Sequence, residues 1–302
     1  MKIFTKRLLA ILCLSLITQI GFSQQVDLFK MQDSTNAAET KTGPEPVLNT
    51  FYSTRLVNGH TVEITGKGSM DFRINHRFAP LNLGFYEMFG LDAASMRMGF
   101  DFGLSDNLMV GIGRTTYYKE YDAFIKYRLM HQKTGGSGAP LSITWVGAWA
   151  YRNLKMDPTL KVTGSDRTYF TTQLLIARKF NDHFSFQISP SYTHYNRLLF
   201  LTGGSTDMFA VGFLARQKVS KRVSINGEYF LQTNRFAGMH DPLSIGVDIN
   251  TGGHVFQLHF TNAVGMNDHS SIHETTGTWG NGDIRWGFNI SRIFNIGGKR
   301  NK

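Results

Sequence analysis

Along most of this chain apolar and polar residues take turns. The stretch Ser95–Thr116 shows it best: Met96, Met98, Phe100, Phe102 and Leu104 fall on every second position, with Arg97, Gly99, Asp101 and Gly103 between them. After Ser105-Asp106-Asn107 the alternation resumes as Leu108, Val110 and Ile112 against Met109, Gly111 and Gly113. Side chains on a strand point to opposite faces with period two, so this is a β-hairpin with one apolar face and one that is small, polar or charged. A sandwich would bury the apolar face against a second sheet; a membrane barrel would turn it to lipid and the other face to a lumen. The same alternation predicts strands at 69–78, 95–104, 107–116, 120–130, 141–151, 168–180, 183–193, 206–217, 222–232, 243–250, 253–262 and 284–294.

The connections decide between the two architectures. Ser105-Asp106-Asn107, Asn181-Asp182, Ser220-Lys221 and Thr251-Gly252 are tight, whereas 79–94, 152–167, 194–205, 233–242 and 263–283 are mostly longer. Short turns at one end and long loops at the other characterise an outer-membrane barrel. Two connections depart from this: Tyr117–Lys119 is short, and the one after the fourth strand is long, with Gly135-Gly136-Ser137-Gly138. The expected fold is all-β, a transmembrane antiparallel up-and-down β-barrel of about twelve strands, an even number as single-chain barrels require. It occupies residues 67–302, with both termini in the periplasm.

Ahead of the barrel, Lys2, Lys6 and Arg7 precede the apolar run Leu8–Ile17, and Gly21-Phe22-Ser23 precedes Gln24-Gln25. That order predicts a signal peptide over 1–23 and an address in the outer membrane of a Gram-negative bacterium. Cys13 lies inside it, so the mature chain has no disulfide or thiolate metal site. No later stretch approaches the roughly 18 unbroken apolar residues of a spanning helix. Residues 24–66 read as a flexible periplasmic lead-in. Within them, FYSTRLV, Asn58-Gly59 and HTVEI form a hairpin signal. A small periplasmic hairpin, an extra strand pair and a partial plug all fit that signal, and the lead-in is the favoured reading.

Composition agrees: 31 Gly, 24 Phe, 11 Tyr and 4 Trp against 7 Pro suit strands and aromatic girdles. The formal charge of +10, part of it from the leader, suits anionic headgroups or solutes. The chain carries no nucleic-acid motif, and export argues against such a partner. In the last strand Trp286, Phe288, Ile290 and Phe294 alternate with Arg285, Gly287, Asn289 and Ser291, although Arg292 breaks the parity. This resembles the signal read by barrel-insertion machinery, except that Asn295–Lys302 runs on beyond it.

Four blocks carry a wider resemblance: Asp71–Phe78 (DFRINHRF), Met96–Leu104 (MRMGFDFGL), Val110–Thr115 (VGIGRT) and Lys119–Leu129 (KEYDAFIKYRL). Together they resemble an uncharacterised family of Bacteroidetes-type outer-membrane barrels, a domain of unknown function. The resemblance is strongest between about residues 51 and 130. It implies a barrel and an outer-membrane address, and it brings no catalytic residues and no substrate.

If the apolar face meets lipid, the opposite parity lines the lumen. The candidates are Arg73, Arg77, Arg97, Asp101, Asp122, Lys126, Arg128, Arg216, Glu228, Asp248 and Arg285, joined by Asp71 and His259. They would either form basic rings in an anion-leaning channel or pair with one another to fill a narrow barrel. About twelve strands lies between barrels just filled by side chains and open porins, so both readings stand. His76, Arg77 and Arg114 fall at the outer rim, to grip lipopolysaccharide phosphates or, more often for such residues, to snorkel. The unusually apolar loop Ala79–Ala94 would constrict the barrel, pack on another loop or face a partner.

His269, His273 and Glu274 in NDHSSIHE have metal-pair spacing, but Ser270-Ser271 disfavour a helix and a surface loop is expected. There is no Gly-x-Ser-x-Gly elbow, and His183, His194, His240 and His259 are scattered. No catalytic, cofactor or metal site is therefore expected. The leading expectation is a small-solute channel or transporter. Behind it stand a closed barrel anchoring a periplasmic or surface protein and, last, a barrel hydrolase. Expected partners are outer-membrane lipid, lipopolysaccharide and the insertion machinery.

Overall fold

In a computed structural model that describes residues 43–135 and 138–297, twelve strands close on themselves. In chain order they are β1 (Ser69–Pro80), β2 (Ala94–Gly103), β3 (Leu108–Thr115), β4 (Glu120–Met130), β5 (Ser142–Arg152), β6 (Thr168–Lys179), β7 (Phe184–Tyr195), β8 (Asp207–Lys218), β9 (Val223–Gln232), β10 (Leu243–Asn250), β11 (His254–Thr261) and β12 (Arg285–Asn295). Each is antiparallel to the next, and β12 closes onto β1 in a register running from Ser69↔Asn295 to Arg77↔Gly287. Closure leaves no edge, so every strand satisfies its backbone without water. The strands fall where the alternation places them, with ends shifted by no more than two residues. The expected signal peptide, residues 1–23, lies outside the described residues.

Parity is kept around the wall. Met98, Phe100, Ile112, Tyr121, Ile125, Trp149 and Phe170 are exposed on the outer face, while Arg97, Asp101, Asp122 and Lys126 are buried on the inner one. Toward the loop end the outer face carries stacked rings, Phe78 on Trp286 at 5.0 Å and His76 on Phe288 at 4.9 Å. Arg292 keeps the outward parity and lies over the ring of Phe294 at 4.8 Å, near the turn end. A guanidinium at a membrane edge can snorkel there, which is why it interrupts the apolar pattern without breaking the strand.

Both irregular connections have physical causes. The turn between β4 and β5 is long because it seats the chain ahead of the barrel. The Val47 N–H donates to the Gln132 carbonyl at 2.8 Å and the Thr134 N–H to the Glu45 carbonyl at 2.8 Å, on either side of a Pro46–Lys133 bridge. The connection between β3 and β4 is short because Tyr118 and Lys119 both turn in the left-handed region, at φ 49° and 53°.

Two segments leave the wall and fill the lumen. From the turn end, residues 50–62 rise inside the barrel and are buried almost throughout. From the loop end, residues 262–275 descend into it and include a short helix, α1 (Asp268–His273).

Candidate functional site

The inner face of β1 presents Asp71, Arg73, Asn75 and Arg77 in succession, all at most 2 % exposed. Buried polar groups at this density need partners, and a tight hairpin supplies some of them: hydroxyls of Ser53 and Thr54 for Arg73, and the Val57 carbonyl and Asn58 side chain for Arg77. The Leu56 N–H donates to the Gly59 carbonyl at 2.9 Å and the Thr61 N–H to the Thr54 carbonyl at 3.0 Å, on either side of an Arg55–His60 bridge. Val57-Asn58 therefore forms the tip, one residue ahead of the Asn58-Gly59 that marks the turn in the sequence.

Groups from all round the wall hold this tip. The Glu228 carboxylate of β9 accepts the N–H groups of Val57, Asn58 and Gly59 at 3.0–3.1 Å. Lys126 Nζ of β4 donates to the carbonyls of Thr54 and Thr61 at 3.0 Å and of Glu63 at 3.1 Å. Arg73 Nη2 reaches Ser53 Oγ at 2.6 Å, and Arg77 Nη2 reaches Asn58 Oδ1 at 2.8 Å. Asn289 of β12 donates to the Val57 carbonyl at 2.9 Å, and Gln187 of β7 bonds both the Val62 N–H and the His60 carbonyl.

The opposite side of the lumen carries an apolar patch that the inward charges gave no sign of. Phe51, Leu56 and Val62 of the hairpin join Val146, Leu175, Leu214 and Phe230 in one buried cluster. The hairpin thus meets a lumen whose charges crowd on β1, β2 and β4, while an apolar patch of β5, β6, β8 and β9 lies among polar groups such as Gln187 and Glu228. It does not hang free as a lead-in; of the three arrangements open to its sequence, the described residues adopt the plug.

The descending loop is anchored by Arg152 at the end of β5. Its guanidinium donates to Glu120 Oε1 and to Glu274 Oε2, both at 2.6 Å, and lies 4.2 Å from the Tyr118 ring centroid. Asn267 Nδ2 donates to the other Glu120 oxygen at 2.6 Å, and His269 stacks on Tyr169 at 4.4 Å. The expected surface loop at NDHSSIHE is therefore a buried helix. Burial among hydrogen-bonding walls outweighs the weak helix propensity of Ser270-Ser271. His269 and His273 do not converge: His269 faces Glu120, while His273 Nδ1 lies 3.3 Å from Gln232 Oε1. The apolar loop Ala79–Ala94 is no constriction either, since Phe85 and Tyr86 are 77 % and 91 % exposed.

Most of the predicted lumen set lies inside, as pairs rather than rings. Arg97 grips Asp122 with Nε at 2.9 Å and Nη2 at 2.5 Å, and Arg73 pairs with Asp71 at 3.0 Å. Asp101 is buried beside them, Asp248 accepts from Gln257 at 3.1 Å, and Arg216 lies over the Tyr52 ring at 4.6 Å. His259 is buried. Two candidates mark the ends of the wall instead of its interior. Arg128 bonds the Asp106 carbonyl at the turn end, and Arg285 bonds the Phe78 carbonyl at the loop end. The expected rim cluster is not formed: adjacent residues face opposite ways, so Arg77 is buried inside while His76 stacks outside, and Arg114 lies over Tyr121. Arg55, Glu120, Arg152 and Asp268 escape the sequence reading, and Glu274 enters it only through its metal-like spacing with His269 and His273. Glu120 and Arg152 share the inward parity of their strands, which is a signal; nothing local marks Arg55 or Asp268.

None of the curated proteins compared with the sequence matches it. Among solved structures the chain is similar to the NanC porin, with 7 % identity and a TM-score of 0.45 over 74 % of this chain and 98 % of that one. It is similar to the KdgM porin, with 8 % identity and a TM-score of 0.44 over 75 % and 99 %. The translocator domain of the autotransporter NalP from Neisseria meningitidis has 9 % identity and a TM-score of 0.38, over 77 % and 89 %. The family described as "Membrane bound beta barrel domain (DUF5777)" matches residues 51–294, which take in the hairpin, all but the last residue of the strands and the descending loop. The chain belongs to this family of membrane-bound β-barrels.

Proposed function

We propose that the protein is an outer-membrane conduit for small, anion-leaning solutes, held shut at rest by its own N-terminal hairpin. One observation carries this reading: the lumen is filled not by the wall itself but by two segments that leave it, the hairpin among them held at its tip by polar contacts. Polar contacts exchange readily with water, so such a plug can be withdrawn at modest cost. Arg73, Lys126 and Arg216 would then line the vacated side, and Arg73 Nε and Arg216 Nε have no hydrogen-bond partner among the described residues. Basic groups along a narrow path raise the local concentration of anions. Export by the leader, lodging in lipid and lipopolysaccharide, and assembly by insertion machinery belong to the same proposal.

The test is single-channel recording of the full chain in planar bilayers beside Glu228→Ala, which removes the grip on the hairpin tip. Rare openings in the parent and frequent, anion-preferring openings in the variant are expected. A Glu228→Ala barrel whose hairpin is cleavable by protease, yet which stays silent, would overturn the reading. A second reading, a closed barrel anchoring a periplasmic protein, draws support from the strip 45–47 clasped on the β4–β5 turn. It predicts silence in both proteins.

A further inference from the structure

The hairpin and the descending loop enter from opposite ends, and they touch. Their meeting point is Asp268, the first residue of α1. One of its carboxylate oxygens lies 3.4 Å from Arg55 Nη2; the other lies 3.4 Å from His60 Nε2 and accepts from Gln173 Nε2 of β6 at 2.9 Å. Arg55 and His60 are the bridged pair of the hairpin, and Arg55 Nη1 also donates to the Asn58 carbonyl at 3.1 Å. The guanidinium that reaches the loop therefore also braces the hairpin tip. Ile272 of α1 belongs to the same apolar cluster as Phe51, Leu56 and Val62. Arg55, His60 and Asp268 are at most 6 % exposed. Removing one partner would strand the other charge away from water, so neither segment leaves without loosening the other.

The remaining anchors of α1 do not involve the hairpin. Glu274 is held by Arg152, Asn267 by Glu120, and His269 by Tyr169, all groups of the wall. The loop can thus be loosened from the wall side, and the effect on the hairpin then read separately.

We propose that the descending loop and the hairpin are one latch running through the barrel. Displacing residues 262–284 from the outer side releases the hairpin tip and loosens the strip 45–47 on the turn end. Events at the outer surface are relayed in this way to the chain on the other side. The inference rests on the hairpin being a displaceable plug. Coupling between two sites is reciprocal, so freeing the hairpin must loosen α1 by the same factor as freeing α1 loosens the hairpin.

The experiment is amide hydrogen exchange on the full chain in detergent micelles, reading peptides over 54–62 and 268–275. Glu274→Gln weakens the wall anchor without touching the hairpin, and it is expected to speed exchange in 54–62 at least tenfold. Arg55→Gln is expected to speed exchange in 268–275 by a comparable factor. Asp207→Asn, at an outer-rim cluster with Tyr192 and His194, is expected to change neither. Faster exchange in 268–275 alone, with 54–62 at the parent rate in Glu274→Gln, would overturn the latch. If Glu274→Gln does not yield a folded, heat-modifiable barrel, Asn267→Ala loosens the neighbouring wall anchor at Glu120 and is judged by the same outcomes. A silent Glu228→Ala sinks the conduit but leaves this coupling standing, and an uncoupled loop sinks the latch but leaves the conduit.

Discussion

Glu228 on β9 and Asn58 at the hairpin tip are joined through both carboxylate oxygens at 3.0 Å, although 170 residues separate them. The neighbouring N–H groups of Val57 and Gly59 point at the same carboxylate. The tip is thus a small anion-binding cradle whose anion is part of the wall. Glu228→Gln keeps the shape but replaces one acceptor oxygen with a donor and removes the charge. Hydrogen bonds to charged groups contribute about 1.5–3 kcal/mol, so roughly 2 kcal/mol of the hairpin's seating is expected to go. Amide exchange at 57–59 should rise by about 30-fold, with the strands unchanged.

Arg97 and Asp122 predict a different behaviour. Their bidentate pair is buried in the wall, so Arg97→Ala strands a carboxylate and is expected to cost about 3–5 kcal/mol in denaturant unfolding of the micellar protein. Asp122→Asn should cost a similar amount. The double variant Arg97→Met with Asp122→Leu should cost much less than the sum, because it leaves no orphaned charge. Selectivity measurements on Arg97→Ala would therefore report on folding before they reported on permeation.

The wall was legible in the sequence because period two is imposed by lipid on one side and a lumen on the other, strand after strand. The contents of the lumen were less so. Asn58-Gly59 specifies a tight turn, but a hairpin in water and a hairpin inside a barrel share that local geometry. The better clue was the run of inward polar groups on β1, from which Arg73 and Arg77 reach past the neighbouring strands to Ser53, Thr54 and Asn58 of the hairpin. Apolarity offered an inward turn as one reading of the loop 79–94. The segment that enters is instead the polar NDHSSIHE, since on that side the lumen offers Glu120, Arg152 and Gln173 as partners.

Gly103 marks where the chain leaves the lumen for the wall. A Cβ there would lie 2.1 Å from the Gly66 carbonyl oxygen and 2.3 Å from that of Thr65, both backbone atoms that cannot rotate aside. Gly103→Ala is therefore expected to destabilise by about 1–3 kcal/mol and to disturb the hairpin's exit. At Gly227 a Cβ would meet only a carbonyl oxygen at 4.0 Å, so Gly227→Ala should stay within about 0.5 kcal/mol. Thermal shifts of the two variants, measured in the same detergent, check the contrast.

Acid should unseat the two inserted segments, neither of which crosses the membrane. Burial holds His273 down to about 3, with His269 nearby adding to the effect, and burial with the Arg55 guanidinium holds His60 well below the usual imidazole range. Both rings are neutral when seated, whereas a released segment regains an ordinary histidine near 6.5. Below pH 6.5 the released state takes up protons that the seated state refuses, so seating weakens as pH falls toward the depressed values. Each histidine then costs about 1.4 kcal/mol per pH unit, or roughly 2 kcal/mol at pH 5. Asp268 acts in the same direction at lower pH. Burial alone would raise its carboxyl, but Arg55 overrides this and holds it well below the usual range. The stability it brings is present above about pH 4 and lost below. Unfolding midpoints should accordingly be level from pH 8 to 7, decline below 6.5 and steepen below 4. His273→Gln should remove about one proton's worth of that decline between pH 6.5 and 4; an unchanged slope would mean that His273 takes up its proton in place.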